Sequence, residues 1–376
     1  MGQTVAVVQN IQVLRFLAAF LVALHHTLPP NVHPAHYANI PGFVTHISLF
    51  GFAGLDLFFV ISGYIMAQTT QWGEPGPRAG AEFVTRRFLR IYTGYWPVFL
   101  LVLAMSAAWG VWQDPNISNW ASFWLLPQYK YQLNVAWTLT YELYFYLLVG
   151  CMLVFTRRHT TAIMAVLFAL LSVRVLVQLG QGFYEEANVP AIRLLPDMLF
   201  TSPLILEFMA GFLLQRVLSR HPNQRVLPWL LFTMAAWALA WYAERHGAGM
   251  AAFLGFPIRA LCLGGASLGL LALAVITPEW RGWPMRLMQK LGDASYALYL
   301  LHIPLLVILY GKLFPLVDGL LWWGGGKVTL LLYLLTCLVV SWAYFRWVET
   351  PLHRLSRKLV ARLFPERAKP HDVRPA

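Results

Sequence analysis

Charged residues are scarce in this chain of 376 residues: Asp, Glu, Lys and Arg together make up 12%, whereas hydrophobic residues make up 59%. A soluble domain usually carries about 25% charged residues. The chain therefore has too little charge to cover a water-facing surface, which excludes a large soluble domain. Long apolar runs recur throughout, and together these features predict an all-α, polytopic integral membrane protein.

Cysteines and repeats are scarce as well. The three cysteines, Cys151, Cys262 and Cys337, each lie in an apolar run, which argues against a disulfide framework. We find no internal repeat and no low-complexity tract. A cleavable signal peptide is not expected, because Arg15 interrupts the first apolar run and no small-residue cleavage site follows it.

The apolar runs predict about ten membrane-spanning helices, separated by gaps that contain Pro, Gly and charged residues. Of the 28 Lys and Arg residues, 20 fall in alternate gaps and in the C-terminal tail, 5 in the other gaps and 3 within spans. The positive-inside rule then places both termini in the cytoplasm. The net charge of +12 is thus an orientation signal and not a nucleic-acid footprint. We divide the chain into a transmembrane domain, 1–350, and a basic cytoplasmic tail, 351–376. The expected spans are roughly 11–28, 49–69, 94–112, 136–155, 160–179, 198–215, 227–243, 254–276, 295–312 and 328–346.

The first span carries an arginine near its start and two histidines at its end. Arg15 and His26 are eleven positions apart, so they lie on one helix face and about 16 Å apart along the axis. His25 lies off that face. An arginine inside a span costs about 3 kcal/mol or more without a partner, water or ligand. Either Arg15 extends to the nearer interface while His26 caps the far end, or the two residues act together at a functional site.

Three other ionisable residues lie within predicted spans. The topology places Asp56 and Glu142 in the outer third of the membrane and His302 near its middle. Buried carboxylates need partners. Asp56 or Glu142 could orient His26 through a hydrogen bond, as the carboxylate of a catalytic triad orients its histidine. The alternative is that the carboxylates only join helices.

A basic segment follows the second span on the predicted inner side. Arg87 and Arg90 are three residues apart and share a helix face, with Arg86 beside them. The surrounding aromatic and aliphatic residues suit a helix lying in the membrane interface. The physics of this segment alone favours anionic lipid headgroups. Guanidinium groups also bind phosphates in bidentate fashion, so the segment would equally suit a nucleotide-like donor.

Two gaps on the predicted outer side have distinctive compositions. The first contains His33, His36 and His46, but without Cys or carboxylates this is a weak metal signal, and we expect an ordinary loop and no metal. The gap 113–135 is rich in Trp and Tyr, as is typical of an interfacial belt. Aromatic side chains can also line a sugar site, and the sequence leaves both interpretations open.

An ordered set of short motifs resembles the membrane acyltransferase-3 family. The first motif is the Arg15–His26 spacing, and the last is Val-Glu-Thr-Pro at 348–351. The spacing fits His26 and not its neighbour His25, so we choose His26. Between the first motif and the last lie Gly-Leu-Asp-Leu-Phe-Phe-Val-Ile-Ser-Gly at 54–63 and the Arg87–Arg90 pair. Then come Trp-Thr-Leu with Glu142, Phe145 and Tyr146, and the run Ser295, Tyr296, Leu298, Tyr299, Leu300, His302 and Pro304. The resemblance spans almost the whole chain and is greatest to the stand-alone branch that acetylates bacterial exopolysaccharides.

The resemblance implies acyl transfer, at the bacterial inner membrane, from cytoplasmic acyl-CoA to a hydroxyl of a cell-surface glycan or its lipid-linked precursor. Acetyl-CoA would be the donor, and lipids and the polysaccharide acceptor the other partners. His26 would be the general base or would carry an acetyl group itself, with Asp56 or Glu142 orienting it. Arg15 would contact the pantetheine arm or the thioester. The resemblance further implies that Arg86, Arg87, Arg90, Ser62, Trp137, Tyr141, Tyr296 and His302 bind the substrates.

Two other functions compete with the enzyme. A transporter or flippase for a lipid-linked glycan would also use buried charges and aromatic outer loops, although many transporters carry internal repeats. A purely structural partner in a polysaccharide-synthesis complex would leave the Arg15–His26 pair without a purpose.

Overall fold

A computed structural model of the chain describes residues 9–27, 40, 42–71, 74–184, 202–250, 255–313 and 326–365. Every regular element in these ranges is helical, in agreement with the expected fold class. The helices are α1 Gln9–Thr27, α2 Gly42–Leu49, α3 Ala53–Thr69, α4 Pro77–Trp109, α5 Asn119–Phe123, α6 Trp137–Phe155, α7 Thr160–Gly180, α8 Leu204–Arg220, α9 Val226–Arg245, α10 Phe256–Ile276, α11 Trp283–Asp293, α12 Ser295–Ile308, α13 Gly326–Tyr344 and α14 Thr350–Leu363.

Seven helical segments in the described ranges are long and apolar enough to cross a membrane. The pair α2 and α3, bent by 46°, would make an eighth if it forms one span. Two further helices coincide with expected spans: α1, which carries several polar residues, and α8, which follows residues 185–201 outside the described ranges. The chain is thus a multi-pass membrane protein, while the count of ten spans and the cytoplasmic termini stay predictions.

Helices α1 and α3 occupy the centre of the bundle. Helix α3 packs against α1, α8 and α10, and α1 also packs against α11 and α12. Small residues allow the closest of these approaches. A methyl group added at Gly63 would lie 1.9 Å from the carbonyl oxygen of Phe208, and one at Gly211 would lie 2.1 Å from that of Val60. The backbones of α3 and α8 therefore touch where these glycines face each other.

Helix α4 corrects one expectation about the basic segment. The sequence suggests a separate interfacial helix followed by a span from residue 94. Instead, a single helix of 33 residues begins at Pro77, and Arg86, Arg87 and Arg90 lie within it. Its first half packs against α6 and α14. The three arginines consequently have fixed positions relative to the rest of the bundle.

The aromatic segment after α4 folds back onto that helix. Tyr95 donates a hydrogen bond to the carbonyl oxygen of Ser122 at 2.6 Å, and Trp96 donates to that of Phe123 at 3.1 Å. Non-helical backbone needs such partners where water is scarce. Trp120 nevertheless keeps 68% of its surface exposed. The segment is thus partly a packed part of the fold, and the choice between an interfacial belt and a sugar site stays open.

Two amphipathic helices flank the bundle. Helix α11 was not expected from the sequence, and it packs along α1 and leads directly into α12. Helix α14 begins the segment expected as a basic tail. It continues from α13 through a π-helical stretch, Phe345–Glu349, and buries Ser356 and Val360 while it packs on α4.

Candidate active site

A cavity of about 470 Å³ lies between α1, α3, α4, α6 and α12 and is referred to below as the inner cavity. Apolar side chains of α3, such as Leu55 and Phe59, form part of its wall. Charged groups from several helices face the same space, so it suits a ligand that has an apolar chain and a few polar groups. These are the arginines Arg15, Arg87, Arg90 and Arg357 and the carboxylates Glu142, Asp293 and Glu349.

Hydrogen bonds fix the polar side of the inner cavity. Glu142 accepts hydrogen bonds from the hydroxyl of Ser62, at 3.2 Å, and from the hydroxyl of Tyr146. Arg15 donates to the side-chain oxygen of Gln12 at 3.1 Å. Tyr296 lines the cavity and donates to a backbone carbonyl of α4 at 3.0 Å. The sequence-predicted residues Arg15, Ser62, Glu142 and Tyr296 therefore meet in one space.

A wider cavity of about 900 Å³ adjoins the inner one. We call it the outer mouth because it lies further from the centre of the bundle; its arginines belong to segments predicted to lie on the cytoplasmic side of the membrane. Arg87, Arg90, His353 and Arg357 line both spaces, so the two cavities share a wall. The outer mouth is predominantly basic, because Arg78, Arg86 and Arg157 add to this set against the two carboxylates Glu74 and Glu82. Partial burial lowers the pKa of Arg157 from its ordinary value. The arrangement can bind several phosphate groups.

The three arginines of the basic segment have different surroundings. Arg86 lines only the outer mouth and is bonded to Glu82, one turn earlier, with its Nε 2.9 Å from the carboxylate. Arg87 donates to the hydroxyl of Thr69 at 3.0 Å, and its guanidinium lies 5.7 Å from the ring centre of Tyr146. Arg90 lines both cavities. Arg87 and Arg90 therefore stand where the two spaces join.

His26 lies outside the inner cavity. Its ring centre is 5.0 Å from that of His302, which is in turn 5.8 Å from that of Tyr299, and only Tyr299 lines the cavity. His26 and Arg15 both lie in the continuous helix α1, eleven residues apart, as expected. Arg15 lines the inner cavity, however, and His26 does not. His26 Nδ1 lies 2.9 Å from the carbonyl oxygen of Val22. Because a carbonyl only accepts, Nδ1 carries the proton and Nε2 is left as the basic nitrogen.

The expected contact between a carboxylate and His26 is not formed. Asp56 is fully buried and instead receives two hydrogen bonds, at 2.8 and 2.9 Å, from Arg259 of α10. A buried carboxylate is stabilised most by a cation, and Arg259 supplies one at the facing position. Glu207 lies buried beside this pair. The sequence analysis noted Arg259 only as a residue within a span and did not assign it a partner.

Two other predicted binding residues also lie outside both cavities. Trp137 stacks on Phe256, with ring centres 6.3 Å apart, and its other aromatic neighbour is Tyr141 at 5.7 Å. Tyr141 is buried and packs near Phe59. Both residues contribute to the packing around the start of α6.

The structure adds site residues that the sequence analysis did not assign. Glu349, in the Val-Glu-Thr-Pro motif, is buried and lines the inner cavity. Arg357, in the segment expected as a tail, lines the same cavity. Asp293 accepts a hydrogen bond from Gln12 at 2.9 Å, and burial raises the pKa of this carboxyl group while Arg15 opposes that shift. The motif was a usable signal for Glu349. The fold of α14 onto α4 was not visible in the sequence.

No cluster of three or more His, Cys, Asp or Glu side chains suited to a metal ion occurs in the described part of the chain. His33 and His36, two of the histidines weighed for such a site, lie outside the described residues. The three cysteines, all within the described ranges, are free.

The family model described as an acyltransferase domain, acyltransferase-3, matches residues 8–346. The chain belongs to this acyltransferase family. A relative, the exopolysaccharide production protein ExoZ of Rhizobium meliloti (strain 1021), is 27% identical over 328 residues, which cover 83% of this chain and 92% of the relative. No solved structure matches the chain. The family assignment confirms the resemblance inferred from the motifs.

Proposed function

We propose that this acyltransferase moves an acyl group, in the simplest case acetyl, from cytoplasmic acyl-CoA to a hydroxyl of an exopolysaccharide or its lipid-linked precursor. The observation that carries the proposal is a basic outer mouth that adjoins a smaller inner cavity, with Arg87, Arg90 and Arg357 facing both. The exopolysaccharide acceptor is suggested by the name of the relative. The Lys and Arg bias of the loops supports entry of the donor from the cytoplasm.

The donor would bind with its phosphates in the outer mouth and its pantetheine arm in the inner cavity. Arg86, Arg87 and Arg90, together with Arg157, offer guanidinium groups to the phosphates. The arm would extend between the apolar wall of α3 and the polar groups opposite, so that the thioester comes close to Arg15. Ser62 and Tyr296 line the same space, and either hydroxyl would donate to the thioester oxygen by giving up its present hydrogen bond, to Glu142 or to the backbone of α4.

His26 would supply the base. Its Nε2 would remove the proton of the acceptor hydroxyl, the hydroxyl oxygen would attack the thioester carbon, and the carbon–sulfur bond would break. The proton held by His26 then returns to the CoA thiolate. In the route through acetyl-histidine, the same nitrogen would attack the thioester carbon first and pass the acetyl group to the acceptor in a second step. Mass spectrometry of protein incubated with acetyl-CoA alone distinguishes the routes.

The test is acceptor-dependent release of CoA by purified protein in lipid nanodiscs. His26→Gln should abolish release, whereas His25→Gln should retain it, because His25 Nδ1 faces the carbonyl oxygen of Ser48 and the ring packs on Phe52. Both variants should keep the thermal stability of the parent. Equal turnover of a folded His26→Gln protein would remove His26 from the mechanism.

A wild-type protein that releases no CoA from any acyl donor would refute the proposed function. Proton-coupled flux of a lipid-linked glycan in vesicles without acyl donor would then favour the transporter.

A further inference from the structure

Phe58 and Tyr299 together close the end of the inner cavity, and we refer to this pair as the end wall. Both side chains line the cavity, and their ring centres lie 6.0 Å apart with the rings nearly perpendicular. Tyr299 follows Tyr296 by three residues on α12, and both line the cavity, so the wall stands about 4.5 Å further along that helix than Tyr296.

The two members of the end wall are held very differently. The hydroxyl of Tyr299 donates to the carbonyl oxygen of Val135 at 2.9 Å and lies 2.8 Å from the hydroxyl of Thr138. These bonds fix the tyrosine ring against the start of α6. Phe58 has no polar atom that could be fixed in this way. Phe58 lines the cavity and is partly exposed, whereas its neighbour Phe59 has only 3% of its surface exposed. Phe58 can therefore rotate into the cavity, and Tyr299 cannot follow without losing its hydrogen bonds.

The two histidines lie on the far side of the end wall. The ring of His302 is 5.8 Å from that of Tyr299, and the ring of His26 is 5.0 Å beyond it. Neither histidine lines the inner cavity. On α1, Ala19 and Val22 lie between the levels of Arg15 and His26 and are fully packed. A thioester in the inner cavity is thus separated from the basic nitrogen of His26 by tightly packed side chains.

We propose that the end wall is a barrier that keeps water on the His26 side away from the donor thioester, and that Phe58 is its movable member, which rotates away when the acceptor is bound. This inference rests on the proposed function and assigns a specificity role to two residues outside the set predicted from sequence. The reaction it prevents is hydrolysis: a water oxygen bonds to the thioester carbon, the carbon–sulfur bond breaks, and the products are a free carboxylic acid and CoA thiol. Movement of Phe58 exposes the thioester to the face where His26 lies.

The experiment measures CoA release from acetyl-CoA with and without glycan acceptor, in nanodiscs. Phe58→Leu and Phe58→Ala should raise acceptor-independent release by about tenfold or more, which corresponds to about 1.4 kcal/mol of barrier, and should lower the fraction of acetyl groups that reach the acceptor. Hexanoyl-CoA should become a better donor relative to acetyl-CoA in the same variants, because the cavity then extends past the wall.

Two further variants serve as controls. Tyr299→Phe keeps the ring and should leave the ratio of hydrolysis to transfer below that of Phe58→Leu. Phe168→Leu makes the same change at a partly exposed phenylalanine of α7 that lines neither cavity, and it should leave both rates unchanged.

The inference is overturned if folded Phe58→Leu and Phe58→Ala proteins show wild-type hydrolysis and wild-type preference for acetyl-CoA. It is equally overturned if both variants lose hydrolysis and transfer in proportion, since that pattern indicates a role in donor binding. Absence of CoA release by the wild type, with acceptor present, is a failure of the proposed function and not of the barrier alone.

Discussion

Replacing Arg259 by methionine should destabilise the bundle by about 3–5 kcal/mol, the usual cost of removing one partner from a buried ion pair. Arg259 is 2% exposed and donates to both oxygens of Asp56, which is fully buried, and also to the carbonyl oxygen of Phe52 at 3.1 Å. Methionine fills a similar volume but removes the cation and both hydrogen bonds to Asp56, while the carbonyl oxygen of Phe52 keeps its bond from the backbone N–H of Leu55. Glu207, buried beside them, loses its cation as well.

Removing the negative charge of Asp56 should cost less free energy of unfolding than removing Arg259, because Glu207 lies buried beside the pair. In Asp56→Asn the amide oxygen still accepts one bond from Arg259, and Glu207 remains to balance the positive charge. We therefore expect Asp56→Asn to cost less than Arg259→Met. A triple variant, Asp56→Asn with Glu207→Gln and Arg259→Met, removes every charge of the cluster and should recover most of the lost stability, since an uncharged buried cluster avoids the desolvation cost.

The measurement is the free energy of unfolding in mixed detergent micelles, followed by tryptophan fluorescence and by far-ultraviolet circular dichroism. Arg158→Met, at an exposed position between α6 and α7, is the matched control and should lie within about 0.5 kcal/mol of the parent. Two results would refute the reasoning: an Arg259→Met protein as stable as the parent, or an Asp56→Asn protein less stable than Arg259→Met.

Three further outcomes follow from the contacts described. Arg90→Gln should raise KM for acyl-CoA by about tenfold or more in CoA-release kinetics, and Arg86→Gln should raise it less, because Arg90 lines both cavities whereas Arg86 lines the outer mouth alone and is paired with Glu82. Gly63→Ala should lower the yield of folded protein in size-exclusion chromatography, and Gly180→Ala, which meets no atom within 4 Å, should not. Tyr95→Phe removes one hydrogen bond to the carbonyl oxygen of Ser122, which keeps a bond from the backbone N–H of Leu125, and should cost about 1 kcal/mol in the same unfolding assay. A normal KM for Arg90→Gln, or wild-type stability of either of the other two variants, would contradict the corresponding contact.

The sequence was enough to predict the helical class, most helix positions and the family, because these depend on local properties. Apolar length and the distribution of positive charge require no knowledge of packing. Of the residues singled out by the motifs, the structure places Arg15, Ser62, Glu142 and Tyr296 at one cavity and His26, Asp56 and His302 outside it, and their roles stay predictions. Each of the four residues at the cavity lies near the face of its helix that the apolar pattern directs towards the interior.

The partners of the buried charges could not be obtained in this way. Asp56 was one of two candidates to orient His26, with the alternative that it only joins helices, and the structure shows the alternative: Asp56 pairs with Arg259, which lies 203 positions later in the chain. Which cation reaches a carboxylate depends on the rotation and crossing of α3 and α10, and these are set by close contacts between helices. The same holds for Glu349 and Arg357, which enter the inner cavity only because α14 folds back onto α4.

The sequence by itself therefore determined that the protein is a helical membrane bundle of a recognisable family, with ionisable residues inside several of its apolar runs. Only the tertiary structure decided which of these residues share a space and which are separated. His26 and Arg15 lie on one face of one helix, but the side chains of α3 and α12 fill the distance between them. The physical reason is that periodicity specifies a direction from one helix axis, whereas a site requires several helices to direct their side chains into the same volume.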